Sequence, residues 1–154
     1  MIQGVNDYSA SIEGYLAGGD PAGSAEMAVQ IEAAKAACPS TKLVASGYSQ
    51  GGQLVHNSIA MLPAATAEWI SKVVIFGDPG MHVFLLPVCV ERMELLLMKC
   101  VKIDDGKPIP NVATSKIDVY CSPQDNICVN GDLILPAHLL YAEDAGAAAA
   151  FVAA

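Results

Sequence analysis

The chain has 154 residues, 53% of them apolar and 16% charged, enough apolar surface to offset the entropy of ordering one domain. That composition excludes a disordered, collagen-like or coiled-coil chain. The formal net charge of −8 repels polyanions and argues against a nucleic-acid partner.

Met1-Ile2-Gln3-Gly4 has no basic n-region and no apolar run, so no signal peptide is legible there. Gly18-Gly19-Asp20-Pro21 reads as a turn and helix start, with Asp20 as N-cap and Pro21 at the first helical position. Residues 22–38 are alanine-rich, and Met27, Ile31, Ala34 and Cys38 recur at helical spacing, which predicts an amphipathic helix. Residues 42–47 are short and apolar between turn signals, as a buried parallel strand requires. Helices are predicted over 50–62 and 64–71, a second buried strand over 72–77 and a third over 116–120. Residues 132–140 are mixed and punctuated by Pro136, and 143–152 reads as a terminal helix. Strands alternating with helices predict an α/β fold with a parallel sheet.

One segment differs from the rest. Residues 80–103 contain no alanine, although the chain has 24, and hold three of six methionines and two of five cysteines. The apolar stretch there carries Glu91, Arg92, Glu94 and Lys99, each costly at a bilayer centre. A packed segment is therefore expected rather than a membrane span. Its composition fits either a buried helix or an insertion foreign to the parent fold.

Gly47-Tyr48-Ser49-Gln50-Gly51 fits G-x-S-x-G between a predicted strand and a predicted helix, the context that gives this pattern meaning. Such a turn lifts the serine hydroxyl clear of the sheet. It also aims the N–H of Gln50 at the place where an acyl oxyanion would form. A serine nucleophile needs a base and an orienting acid, in the chain order Ser, acid, His on this kind of fold. His56 lies too early and reads as a surface histidine; His82 falls in the odd segment. His138, after the last strand, is the best base. Asp78 and Asp125 compete as the acid. Asp78 lies in Gly77-Asp78-Pro79, a sequence that suits a turn initiator. Asp125 follows the third strand in a loop bounded by Cys121 and Cys128, and is favoured. A disulfide across that loop would hold the carboxylate in place. The C-x6-C spacing is not a zinc pattern, and no metal site is expected.

These residues resemble the cutinase family of fungal serine esterases. The resemblance rests on Gly47-Tyr48-Ser49-Gln50-Gly51, Cys38-Pro39 ahead of the first strand, the Cys-flanked loop 121–128, and the Leu-x-Pro-x-His region at 134–138. It implies a three-layer α/β/α sandwich with a small parallel sheet, a cutinase-like α/β-hydrolase. It further implies hydrolysis of cutin-type polyester and short acyl esters by a secreted, monomeric enzyme without a cofactor. Ser49 would be nucleophile, His138 base, Asp125 its orienter and Gln50 an oxyanion donor, with Cys121 paired to Cys128. Against the family pattern, a first strand, a second oxyanion donor and the partner of Cys38 are expected upstream of Met1. Residues 80–103 are expected to be inserted into a single domain spanning 1–154, as a translated intron would be.

Two alternatives share the same residues. One is an acetylxylan or other short-acyl esterase on the same fold, which the triad does not distinguish. The other is a catalytically impaired, hydrolase-derived interaction protein, favoured by the missing oxyanion loop and opposed by the three retained triad residues. Loss of one oxyanion donor costs roughly 10²–10³ in rate.

Overall fold

The computed structural model describes residues 1–80, 108–129 and 131–154. Apart from Gly80, the segment expected as an insertion lies outside the described residues, and with it His82, Cys89 and Cys100. Among the described residues no helix is long and apolar enough to cross a membrane.

The Ser11 hydroxyl caps a short helix α1 (Ile12–Leu16), accepting from the Gly14 N–H at 3.0 Å. No sequence pattern marks this element, whose five residues are too few for a periodic signal. Helix α2 (Pro21–Ala37) starts as expected: the Asp20 carboxylate accepts from the Gly23 N–H at 2.6 Å, and Pro21 supplies no N–H that would need a partner. Strand β1 (Val44–Tyr48) leads into α3 (Gln50–Met61), and α4 (Ala64–Ala67) precedes β2 (Lys72–Phe76). The helix expected over 64–71 stops early. Fully buried Ile70 turns into the core, and the Ser71 N–H bonds Leu43 O at 2.9 Å, drawing the chain into the sheet. Strand β3 (Ile117–Tyr120) follows. One-turn 3-10 helices then occupy Pro136–Leu139 and Tyr141–Asp144, and α5 (Ala145–Ala153) closes the chain.

The three strands are parallel, in the order β1-β2-β3. Side-chain alternation divides the sheet into two faces. Ala45, Val73, Ile75, Ile117 and Val119 face one side, where they pack with Met27, Ala28 and Ile31 of α2 and Leu54, Val55 and Ile59 of α3. On the other face, Tyr48 pairs in register with Phe76, and Phe76 with Tyr120. Three aromatic residues thus stand in a row at the carboxyl ends of the strands. The C-terminal segment covers this face: Tyr141 meets Tyr48 and Phe76 edge-on, and the Lys72 ammonium sits 4.2 Å from the Phe151 ring centroid. Helices on both faces of a small parallel sheet make the expected three-layer α/β/α sandwich. The carboxyl edge of such a sheet is where open α/β folds build their sites.

Candidate active site

Ser49 sits between β1 and α3 with φ 55° and ψ −124°, a left-handed conformation that few non-glycine residues adopt. Its N–H is tied to Phe76 O at 2.9 Å, and Ser49 O accepts from the Gly52 N–H at 2.8 Å. The turn is therefore fixed from the sheet side and from the helix side. A Cβ on Gly47 would overlap the backbone of Gly51 and lie 2.7 Å from Gly52 N, so the first glycine of the motif is required by backbone approach. The last glycine of the motif, Gly51, has open space where a Cβ would go. The tight position is its neighbour Gly52, where a Cβ would lie 2.7 Å from Ile75 Cγ2.

Gln50 is the first residue of α3, so its N–H has no acceptor within the helix and carries the helix's positive end. Its side chain has a separate task. Buried Gln50 accepts from Tyr8 Oη at 2.5 Å and donates Nε2–H to Ser11 O at 2.5 Å, pinning the segment before α1 to the start of α3.

Asp125 and His138 lie 13 residues apart and meet: His138 Nδ1 is 2.8 Å from Asp125 Oδ2, and both residues are buried, 1% and 2% exposed. An ionised carboxylate only accepts, so Nδ1 carries the hydrogen, and in the neutral imidazole Nε2 then presents a lone pair. His138 Nε2 is buried and has no hydrogen-bond partner among the described residues. The ring is held on several sides. Tyr48, the residue before Ser49, stacks on it at 5.0 Å between centroids, and Tyr48 Oη donates to His138 O at 2.8 Å. Gly77, at φ 57°, backs the ring so closely that a Cβ there would be 2.7 Å from His138 Cε1.

The Asp125 carboxylate is anchored by its own loop. Oδ1 accepts from the Ile127 N–H at 3.0 Å, and a disulfide joins Cys121 to Cys128 with Cα atoms 6.1 Å apart. The Cys128 sulfur, which carries no hydrogen in the disulfide, touches Asp125 Oδ2 at 3.5 Å. Tyr141 Oη also donates to Oδ2. Tyr141 belongs to no motif in the sequence. Its only local signal is its place three residues after His138, one 3-10 turn along. Burial and then the bond to Asp125 raise the Tyr141 phenol well above the ordinary tyrosine range. Burial first, and Asp125 second, also raise Tyr48.

His56 corrects the sequence reading. It is 11% exposed rather than a surface residue, and its Nε2 lies 2.9 Å from Oδ2 of buried Asp78. Asp78 does initiate a turn, accepting the Gly80 N–H on Oδ1 at 2.9 Å, but it also ties that turn to α3. Alternation along a single helix shows no partner 22 residues away, so the pair was not legible. Cys38 is exposed and unpaired among the described residues. Among those residues no group of three or more His, Cys, Asp or Glu is placed to hold a metal ion.

The described residues thus bring together a strained serine, a helix N-terminus beside it and a buried His–Asp pair whose imidazole stacks on Tyr48, the kinds of group that nucleophilic acyl transfer requires.

Comparison with known proteins gives the same direction. The sequence profile of the Cutinase family matches residues 1–154. The chain is 52% identical over 153 residues to cutinase pbc1 of Pyrenopeziza brassicae, covering 99% of this chain and 63% of that one. A solved structure of Trichoderma reesei cutinase in complex with a C11Y4 phosphonate inhibitor is similar with TM-score 0.77 and 42% identity, covering 98% of this chain and 57% of that one. An acetylxylan esterase is similar with TM-score 0.62 at 24% identity, covering 84% of this chain and 67% of that one, which shows a shared fold. The chain spans less than two thirds of the length of the two cutinases.

Proposed function

The chain belongs to the cutinase family, and from that premise we propose that it is a serine esterase hydrolysing carboxylic esters of cutin-type polyester and short acyl esters. In this reading 1–154 is one domain, and the protein acts outside the cell, where the Cys121–Cys128 disulfide would persist.

Ser49 Oγ attacks the ester carbonyl while His138 Nε2 takes its proton. The carbonyl oxygen becomes an anion facing the Gln50 N–H at the start of α3. The intermediate collapses to an acyl-enzyme as His138 returns the proton to the leaving alcohol. Water, deprotonated by the same nitrogen, then releases the acid and restores Ser49. Asp125 keeps the hydrogen on Nδ1 and stabilises the imidazolium formed in each half-reaction. The observation that carries this reading is the 2.8 Å bond between His138 Nδ1 and Asp125 Oδ2, which leaves Nε2 as the proton acceptor on a ring stacked against the residue preceding Ser49.

A relative in this family is known in complex with a phosphonate inhibitor, so a fluorophosphonate probe is the direct test. It is expected to label the chain on Ser49, and Ser49→Ala is expected to abolish labelling. Labelling that survives the substitution would refute the assigned nucleophile. Hydrolysis of p-nitrophenyl butyrate and insoluble polyester is expected to exceed deacetylation of acetylated xylan, and the reverse order would overturn the substrate class. A folded protein that turns over none of the three is an interaction protein on a hydrolase fold.

A further inference from the structure

We propose that Tyr141 is a positioning residue that sets the basicity of His138, by donating its hydroxyl proton to the carboxylate oxygen that also accepts from the imidazole. The proposal rests on the Ser49–His138–Asp125 reading and adds to it the group that decides at what pH the pair works.

Both donors converge on one atom. Asp125 Oδ2 accepts from His138 Nδ1 at 2.8 Å and from Tyr141 Oη, while Oδ1 is occupied by the Ile127 N–H at 3.0 Å. The direction of the phenolic proton follows from its other neighbour. The Ser122 N–H donates to Tyr141 Oη at 3.1 Å, so the phenol oxygen accepts there and its own hydrogen is directed to the carboxylate. The ring has little freedom to turn away. It meets His138 edge-on at 6.1 Å and 89°, and Phe76 at 6.0 Å and 60°. Gly77 lies so close that a Cβ there would be 2.9 Å from Tyr141 Cε2. The upward shift of the phenol keeps it a protonated donor across the neutral range.

A carboxylate beside an imidazole favours the imidazolium, and each hydrogen bond donated to the carboxylate weakens that pull. Tyr141 thereby takes a share of the Oδ2 charge that would otherwise act on the imidazole alone. Among the described residues, the other titratable groups facing the pair are Tyr48, stacked on the imidazole and bonded to the His138 carbonyl, and Tyr15 on α1, whose phenol is raised by burial and by the field of Asp132 and Asp125. Neither reaches Oδ2 in place of Tyr141, and Cys128 is consumed in the disulfide.

The test compares the full chain with Tyr141→Phe and with 3-fluorotyrosine placed at 141, a stronger donor of the same shape. Two quantities are read: the pH profile of fluorophosphonate labelling, and the titration of the His138 ring by NMR, which needs no turnover. Tyr141→Phe is expected to raise both midpoints by about half a unit to one unit. Labelling below the acid limb then falls about three- to ten-fold, while the plateau above it is largely retained. The fluorinated side chain is expected to move both midpoints down, and it preserves the test should Tyr141→Phe fail to fold. Midpoints unchanged in both proteins, or moved in the same direction, would overturn the proposal. A lowered plateau with an unmoved limb would likewise reduce Tyr141 to packing. If labelling survives Ser49→Ala the triad reading fails instead, and the NMR midpoints still decide the effect of Tyr141 on His138.

Discussion

Substituting alanine at Gly47 and at Gly51 should change stability in opposite directions, although both glycines belong to one five-residue motif. At Gly47 the added Cβ overlaps the carbonyl oxygen and carbonyl carbon of Gly51 and sits 2.7 Å from Gly52 N. These are backbone atoms of the first turn of α3, and Gly52 N is itself bonded to Ser49 O. Relieving the overlap requires β1 and α3 to separate, both of which carry core residues such as Ala45, Leu54 and Val55. Overpacking against yielding side chains costs about 1–3 kcal/mol. Against backbone held on two sides the cost is expected at about 3 kcal/mol or more, in the range reserved for severe lesions. At Gly51 nothing lies within 4 Å of the added carbon, and the residue is helical. There alanine gains about 0.8–1 kcal/mol of helix propensity. Gly52→Ala falls between, because the buried Ile75 methyl at 2.7 Å offsets the helical gain. For a chain of this size 1 kcal/mol moves Tm by about 2–4 °C. Thermal unfolding followed by circular dichroism should therefore place Gly51→Ala about 2–4 °C above the parent and Gly47→Ala at least about 6 °C below it. A Gly47→Ala protein within about 2 °C of the parent, or a Gly51→Ala protein less stable than Gly47→Ala, would refute the reasoning.

Three further outcomes follow from the same contacts. His56→Ala should destabilise by about 2–4 kcal/mol in urea denaturation, because it strips the Nε2 partner from buried Asp78; a cost under about 0.5 kcal/mol would return His56 to the surface. Opening the Cys121–Cys128 bridge by paired serine substitution should cost about 2–3 kcal/mol by loop entropy, and should slow Ser49 labelling as the Asp125 loop loosens; unchanged Tm and labelling would detach the bridge from the site. All five tyrosines are raised, Tyr120 to about 12, with burial the first cause in each. The native state thus holds these protons where the unfolded chain would release them, so the stability present below about pH 10 is lost as pH rises through the folded values. Tyrosinate absorbance should appear together with alkaline unfolding, and a folded protein titrating five ordinary phenols near pH 10 would contradict this.

The parts of the fold legible in the sequence are those encoded within a few neighbouring residues. Asp20-Pro21 marks the start of α2 because capping is a local hydrogen bond. Residues 72–77 read as a strand because a short apolar run needs cover on both sides, and β2 is the central strand. The Asp125–His138 pairing was expected from chain order and from resemblance, and the 2.8 Å bond is a distance that order alone does not supply. The helix expected over 64–71 is longer than α4 because helical propensity continues through Trp69 while the core draws in Ile70. His56 was misplaced because position along α3 says which face it occupies, and not what covers that face.

By itself, then, the sequence determined the alternation of strands and helices, the strained serine turn and the cysteines that bracket Asp125. Each of these depends on the conformation of residues close together in the chain. Tertiary structure alone decided that Tyr141 and His138 share one carboxylate oxygen, that Asp78 belongs to His56, and that Gln50 reaches Tyr8 across 42 residues. It also decided which glycines of the elbow are needed, since close approach depends on the element packed opposite. The reason is physical: local conformation is set by a residue's immediate neighbours, whereas a partner is set by the register and facing of elements distant in the chain.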